Sequence, residues 1–218
     1  MTIASFKPHA LSELQKPFFF SQQLATMAEN MPGRPCLHRG QLTTAEKVWD
    51  DVLRAATWMQ RNGVERGTQV VFSLSADHAD AQTLLMAASH AGATVTLVLS
   101  TAGEARLMQI AREVSPACIF LDAGTASFQM HFDSTLTVWM SPGLSQGNWN
   151  EVELDEVFET RPAWGMPFPG QTEDAALMLY GDDGDGPADV WTHRRLGEAF
   201  KKSPADFLPG VGSLSLAA

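Results

Sequence analysis

The feature that most constrains the fold of this chain is an alternation of short apolar runs with amphipathic helical segments. Residues 69–74, 93–99 and 118–121 are largely apolar and rich in residue types that favour buried strands. The segments between them carry apolar residues at the spacing of helices that bury one face. Short connections between alternating strands and helices favour right-handed crossovers. The pattern therefore predicts an α/β fold with a mainly parallel, doubly wound sheet and flanking helices.

Polar residues indicate where the helices of this region begin and end. Asp77 is predicted to cap a helix that stops at Gly92. Thr101, with Glu104 three residues later, has the pattern of a capping box for the next helix. Residues 135–140 then form a fourth strand-like run. We therefore expect four strands, the first three of them joined by helices.

The N-terminal region predicts two helices and a hairpin. Residues 18–30 have helical spacing, and two short strand-like runs surround residues 39–40. Thr43 and Glu46 form another capping-box pattern, which predicts a long helix that ends near Asn62. This helix is expected to bury one stripe, made of Val48, Val52, Ala55, Ala56 and Met59.

The chain divides into three segments by pattern. Residues 1–140 hold the α/β pattern described above. Residues 141–172 are rich in Gly, Pro and Trp and contain an acidic run that suits a short helix, so we interpret them as a packed linker. Residues 173–218 hold two strand-like runs around a loop, followed by a helix and a tail. We expect this last segment to pack on the same domain.

Charge and cysteine content limit the classes of partner and compartment. The chain has 25 acidic and 15 basic residues and a net charge of -10, which argues against nucleic acid or an anionic membrane surface as partner. No window approaches the run of about 18 apolar residues that a membrane span needs. Cys36 and Cys118 lie in apolar surroundings without metal-like spacing, so we expect buried free thiols. Cytoplasmic residence is the resulting expectation.

The most informative stretch for function is 175–193, where a buried apolar run gives way to a loop of Gly and Asp and resumes at Val190. This strand, loop and strand resembles the phosphate-loop region of the AMP-forming ligases, which include acyl-CoA synthetases, luciferases and the adenylation domains of peptide synthetases. The motif of that family reads roughly Leu-x-Tyr-Thr-Ser-Gly-Thr-Thr-Gly-x-Pro-Lys-Gly-Val, followed by Thr-His. The order of features over 32–122 is similar to the first third of such a ligase.

The resemblance implies a phosphate site whose chemistry has been replaced. In the family, hydroxyls and backbone amides cradle the phosphates of ATP, and the Lys adds positive charge. With Tyr180 on the Tyr of the motif, the first motif Gly falls on Asp183 and the Lys on Asp189, while Gly186, Thr192 and His193 keep the pattern. The hydroxyl positions fall on Gly181, Asp182, Gly184 and Asp185. Because four carboxylates repel phosphates, we expect no ATP, no other cofactor and no catalytic residue at these positions.

A calcium loop is an alternative interpretation of the acidic cluster. Such a loop takes oxygen ligands at alternating positions and a bidentate Glu at the twelfth. Asp183, Asp185 and Gly186 suit three of these positions, but Gly181 would occupy the first and Thr192 the twelfth. We therefore expect a solvated acidic turn and no metal site.

The predicted function is that of a truncated, catalytically inactive relative of the acyl-CoA synthetases. The resemblance implies that the ribose-binding Asp, the acyl pocket and the catalytic Lys would follow His193, whereas the chain ends at Ala218. We expect a docking or accessory role in fatty-acid or polyketide-type acyl metabolism, as a homodimer or with a ligase or acyl carrier protein. Two alternatives are half of a split ligase completed by a second chain, and a binding module for an acyl group or adenylate.

Overall fold

Nine strands and six α-helices form in the computed structural model, which describes residues 20–38, 41–74, 78–99, 102–125, 132, 135–163, 170–180, 187 and 189–202. The strands are β1 (Pro35–His38), β2 (Gln41–Thr44), β3 (Gln69–Leu74), β4 (Thr94–Leu99), β5 (Cys118–Leu121), β6 (Leu136–Trp139), β7 (Glu151–Glu153), β8 (Ala175–Leu179) and β9 (Asp189–Thr192). The helices are α1 (Phe20–Asn30), α2 (Ala45–Arg61), α3 (Ala81–Ala91), α4 (Glu104–Val114), α5 (Leu154–Glu159) and α6 (His193–Lys202).

Seven of the strands form one sheet in the order β7-β6-β5-β3-β4-β8-β9, and β1 and β2 form a separate hairpin. All neighbours in the large sheet are parallel except β9, which runs antiparallel to β8. The sheet grows outward on both sides of β3, because β4 follows it on one side and β5 on the other. The predicted α/β fold with a mainly parallel, doubly wound sheet is confirmed.

Alternate residues of the central strands contribute side chains to two apolar layers on opposite faces of the sheet. In β3, Val70 joins the larger core, which packs against α1, α2, α3, α5 and α6, whereas Val71 joins the smaller core beneath α4. The predicted stripe of α2 is buried in the larger core. Both cysteines are buried and free, as predicted. Among the described helices, none is both long enough and apolar enough to span a membrane.

Three helix starts differ from the predicted ones. Helix α2 begins one residue later than the predicted capping box places it. The hydroxyl of Thr44, not that of Thr43, accepts a hydrogen bond from the first-turn amide of Lys47 at 3.3 Å. Helix α3 begins at Ala81, with Asp80 at the N-cap position, and the predicted cap Asp77 lies outside the described residues. Helix α4 is preceded by Gly103 and has Glu104 as its first residue, which rules out the predicted capping box.

The segment predicted as a linker, 141–172, contributes an edge strand and a helix to the same fold. Strand β7 pairs in parallel with β6, and α5 follows it directly. The residues between Gly143 and Asn148 fold back over two glutamates of β7, Glu151 and Glu153. Trp149 is 83% exposed, contrary to the expectation that the aromatics of this segment are buried. Residues 164–169 lie outside the described residues.

Candidate functional site

The candidate site lies where β8 ends, at the carboxyl end of the parallel strands, which is the usual position of ligand sites in such sheets. Leu177 of β8 is buried between Val95 of β4 and Trp191 of β9. Six predicted site residues follow β8 and lie outside the described residues, namely Gly181, Asp182, Asp183, Gly184, Asp185 and Gly186. The calcium interpretation depends on the same positions and is not tested. Asp189, Thr192 and His193 are described.

Asp189, at the position that the family motif gives to Lys, is an ion-pair partner. Its two carboxylate oxygens accept hydrogen bonds from Nη1 and Nη2 of Arg195 at 2.7 and 3.0 Å. The indole Nε1 of Trp191 donates to the same carboxylate at 2.6 Å. The hydrogen bonds from Arg195, with that from Trp191, lower the pKa of Asp189 below its ordinary value. Asp189 is therefore a carboxylate paired with a cation.

The side chains of Thr192 and His193 make contacts that hold α6 in place. The hydroxyl of Thr192 accepts the backbone amide of Arg195 at 3.2 Å, in the manner of an N-cap of α6. His193 is fully buried, and its Nδ1 lies 3.0 Å from the hydroxyl of Ser89 on α3. Burial lowers the pKa of His193 to about 4, against an opposing contribution from Asp174. At neutral pH the imidazole is therefore uncharged and part of the packing between α3 and α6.

Tyr180, the aromatic residue on which the motif alignment rests, connects the site to α4. Its hydroxyl donates to the carboxylate of Glu113 at 3.1 Å, and the guanidinium carbon of Arg106 lies 5.8 Å from the ring centroid. Burial, followed by the contact with Glu113, raises the pKa of Tyr180 above its ordinary value. Tyr180 is therefore a protonated donor that fixes the end of β8 against α4.

A second polar site, which the sequence analysis did not predict, lines a cleft between the β1–β2 hairpin, α2 and α5. The cleft has a volume of about 660 Å³. His38 lies on its wall with Nε2 at 2.9 Å from Asp51 and Nδ1 at 3.1 Å from the hydroxyl of Thr83. The ammonium of Lys47 donates to the other oxygen of Asp51 at 2.7 Å. The i,i+4 spacing of Lys47 and Asp51 was the available sequence signal, but no pattern connected either residue to His38.

The chemistry of this network favours a structural role. Burial alone would raise the pKa of Asp51, but the hydrogen bonds from His38 and Lys47 hold it below its ordinary value. Asp51 is thus an anion, to which His38 donates. Thr83 is buried on α3 and is not among the residues that line the cleft, so the chain of contacts presents no nucleophilic hydroxyl there. The network fastens the hairpin to α2 and α3. Among the described residues, no group of three or more His, Cys, Asp or Glu side chains is arranged to hold a metal ion.

Solved structures of other proteins share the fold of this chain. The structure is similar to that of IdnL1, with a TM-score of 0.63 and 20% identity over 87% of this chain and 36% of that one. It is similar to the luciferase-like enzyme from the nonluminescent Zophobas morio mealworm, with a TM-score of 0.63 and 18% identity over 85% and 44%. It is also similar to VinN, with a TM-score of 0.66 and 15% identity over 85% and 49%. At these identities the likeness shows the fold.

The lengths and sequences add two further findings. The chain spans 36–49% of the length of these three proteins. No curated protein matches it in sequence. The family model described as AMP-binding enzyme matches residues 24–180, which is most of the chain; the match begins within α1 and includes α2, α3, α4, α5 and the whole of β8. The resemblance to the AMP-forming ligases is therefore confirmed, and the chain belongs to the AMP-binding enzyme family.

Proposed function

We propose that this chain is a catalytically inactive member of its family, with a docking or accessory role in acyl metabolism of the fatty-acid or polyketide type. The observation that carries the proposal is the ion pair of Asp189 with Arg195. The family motif has a Lys at this position, where its charge attracts phosphate. Here the position holds an anion, and that anion takes up the guanidinium of Arg195 with two hydrogen bonds. A polyphosphate arriving at Asp189 would meet a carboxylate.

The two motif positions that keep their residue types support the same proposal. Thr192 caps α6, and His193 is buried against Ser89 with a pKa of about 4. Each side chain is thereby committed to the packing of α6. These contacts give Thr192 and His193 a structural role, so a bound ligand is not needed to explain why the chain has Thr and His at these positions.

The proposed partners are a second copy of the chain, a ligase of the same family or an acyl carrier protein. Leu42 and Trp149 expose 77% and 83% of their surface, and large exposed apolar side chains are typical of protein contacts. The proposed compartment is the cytoplasm. Two buried free cysteines suit a reducing compartment, which supports that proposal.

The absence of ATP binding can be tested by calorimetry with ATP and Mg²⁺, together with pyrophosphate exchange over a panel of carboxylic acids. We expect no heat of binding and no exchange. The variant Asp189→Lys, which restores the Lys of the motif, is the matched comparison for charge at this position. Micromolar ATP binding by the unaltered chain would contradict the proposal and favour the split-ligase alternative, in which exchange appears once a second chain is added.

The docking role needs its own measurement. We expect light scattering to detect a homodimer, or calorimetry to detect binding to a purified acyl carrier protein or complete ligase from the same cell. The acyl carrier protein should be tested with and without its acyl group, because a difference between the two would identify the acyl group as part of the contact. A monomer that binds none of these proteins, but binds an acyl-adenylate, would favour the binding-module alternative.

A further inference from the structure

The two edge strands of the large sheet, β7 and β9, differ in the contacts that their outer sides make. At one end, the carboxylates of β7 are covered by the preceding loop, since Glu153 accepts the amide of Gly143 at 3.0 Å and Glu151 accepts that of Gln146 at 2.6 Å. At the other end is β9. In the described part of the chain, β9 pairs with β8 only, so its second edge faces away from the sheet. An edge with unpaired amides and carbonyls is a template for another strand.

The backbone carbonyl of Val190, in β9, is bound by a side chain. The carbonyl oxygen accepts a hydrogen bond from Nη1 of Arg195 at 3.3 Å. In an antiparallel strand, the N–H and C=O of one residue point to the same side. Because a side chain binds the carbonyl of Val190, this residue presents its acceptor, and with it its donor, on the edge away from β8.

Asp189 holds the side chain that binds Val190 in place. Arg195 and Asp189 share two hydrogen bonds, of 2.7 and 3.0 Å. The guanidinium carbon lies 4.0 Å from the centroid of the Trp191 ring, within the range of a cation–π contact. A planar guanidinium held by a carboxylate on one side and an indole on the other loses little further freedom when it binds a carbonyl. The arrangement is therefore a fixed cover over the centre of the edge.

We propose that Asp189 and Arg195 form an edge guard, which prevents a second copy of this chain from adding its own β9 to the sheet. The occupant that the guard excludes is specified by the strand itself. Two copies of β9 can pair antiparallel about a two-fold axis, so that each presents the same donor and acceptor to the other. Val190 is apolar and 44% exposed, and would bury surface at the centre of that contact. The inference does not depend on the proposed function.

The test compares three single variants by light scattering after gel filtration, over a wide range of protein concentration. Arg195→Ala removes the cover of the carbonyl, and Asp189→Asn removes the anchor of the guanidinium. We expect both variants to gain mass over the unaltered chain, in steps of two and increasingly at higher concentration. Arg194→Ala is the control, because Arg194 occupies the same turn of α6 but pairs with Glu173, away from β9. Its mass should equal that of the unaltered chain.

A double variant identifies the surface through which the copies associate. Val190→Lys places a charge at the centre of the edge, and Lys on an edge strand opposes pairing. Arg195→Ala combined with Val190→Lys should therefore return to the mass of the unaltered chain. Far-ultraviolet circular dichroism checks that each variant is folded, and Asp189→Asn provides the measurement if Arg195→Ala does not fold. Folded Arg195→Ala and Asp189→Asn that both keep the original mass, or association that persists in the double variant, would overturn the proposal.

Discussion

The hydroxyl of Ser89 lies 3.0 Å from Nδ1 of His193, a contact between α3 and α6 across 104 residues of sequence. Both residues are fully buried. The contact is therefore a long-range polar link inside the larger core. His90, also on α3, has a pKa that burial lowers to about 4.

The buried histidines predict that stability falls as the pH falls from about 6.5 to about 4. An unfolded histidine binds its proton near pH 6.5, whereas folded His193 stays neutral down to about pH 4. The unfolded state therefore binds more protons in this window, and the free energy of unfolding decreases by about 2 kcal/mol per histidine at about pH 5. Denaturant unfolding at neutral pH and in acetate buffer measures the loss. His193→Gln should reduce this pH dependence by about half, since His90 remains.

Ser89→Ala is the matched control for that measurement. It removes the hydroxyl but keeps the buried ring, so it should lower stability at both pH values and preserve the slope. A His193→Gln variant with the same slope as the unaltered chain would contradict the assignment of the pH dependence to His193.

A second prediction concerns the start of α6. Thr192→Ala removes the hydroxyl that accepts the amide of Arg195, so the free energy of unfolding should fall by about 1 kcal/mol. Thr192→Ser keeps a hydroxyl at the same position and should retain most of the stability. Thermal melts of the three proteins give the comparison. Equal losses for the Ala and Ser variants would show that the methyl group, not the cap, is responsible.

A third prediction concerns the polar network beside the cleft. Asp51→Ala leaves the buried Nε2 of His38 without its carboxylate partner, and we expect a loss of about 2 kcal/mol. The matched variant is Asp50→Ala, since Asp50 pairs with Arg54 on the same helix in a more exposed position. Its cost should be at most about 1 kcal/mol. Denaturant unfolding that gave the two variants equal stability would contradict a special role for the buried network.

The strands and the apolar stripes of the helices were predictable from sequence. Burial on one or two faces makes apolar residues recur at a regular spacing, which is visible in a short stretch of sequence. Helix starts were less predictable. Thr43 and Thr44 are adjacent and chemically equal, and only the path of the hairpin decides which hydroxyl reaches Lys47. Strand β7 was missed because its three residues belong to an acidic run that suits a short helix. Its strand character comes from pairing with β6, which a local pattern does not contain.

At the candidate site too, some features were predictable from sequence and others were not. The motif alignment predicted that Asp189 replaces a Lys, which needs only the order of residues. The ion pair of Asp189 with Arg195 could not be predicted in this way. It forms because β9 runs antiparallel to β8 and leads into α6, whose first turn places Arg195 next to the strand. The link between His38 and Asp51 likewise depends on how the hairpin lies on α2. Contacts of this kind arise between elements, so no spacing along the chain encodes them.

The position of β8 in the sheet has a consequence for the order of folding. Strands β3, β4 and β5 each meet a neighbour that is close in sequence, whereas β8 pairs with β4 after a long excursion through β5, β6 and β7. The hydroxyl of Thr94 binds the carbonyl of Ala175, 81 residues later. Because closing a longer loop costs more chain entropy before any contact forms, we expect β8, β9 and α6 to join a sheet that already exists. The part of the chain that holds the predicted phosphate-loop positions is thus the part on which early folding depends least.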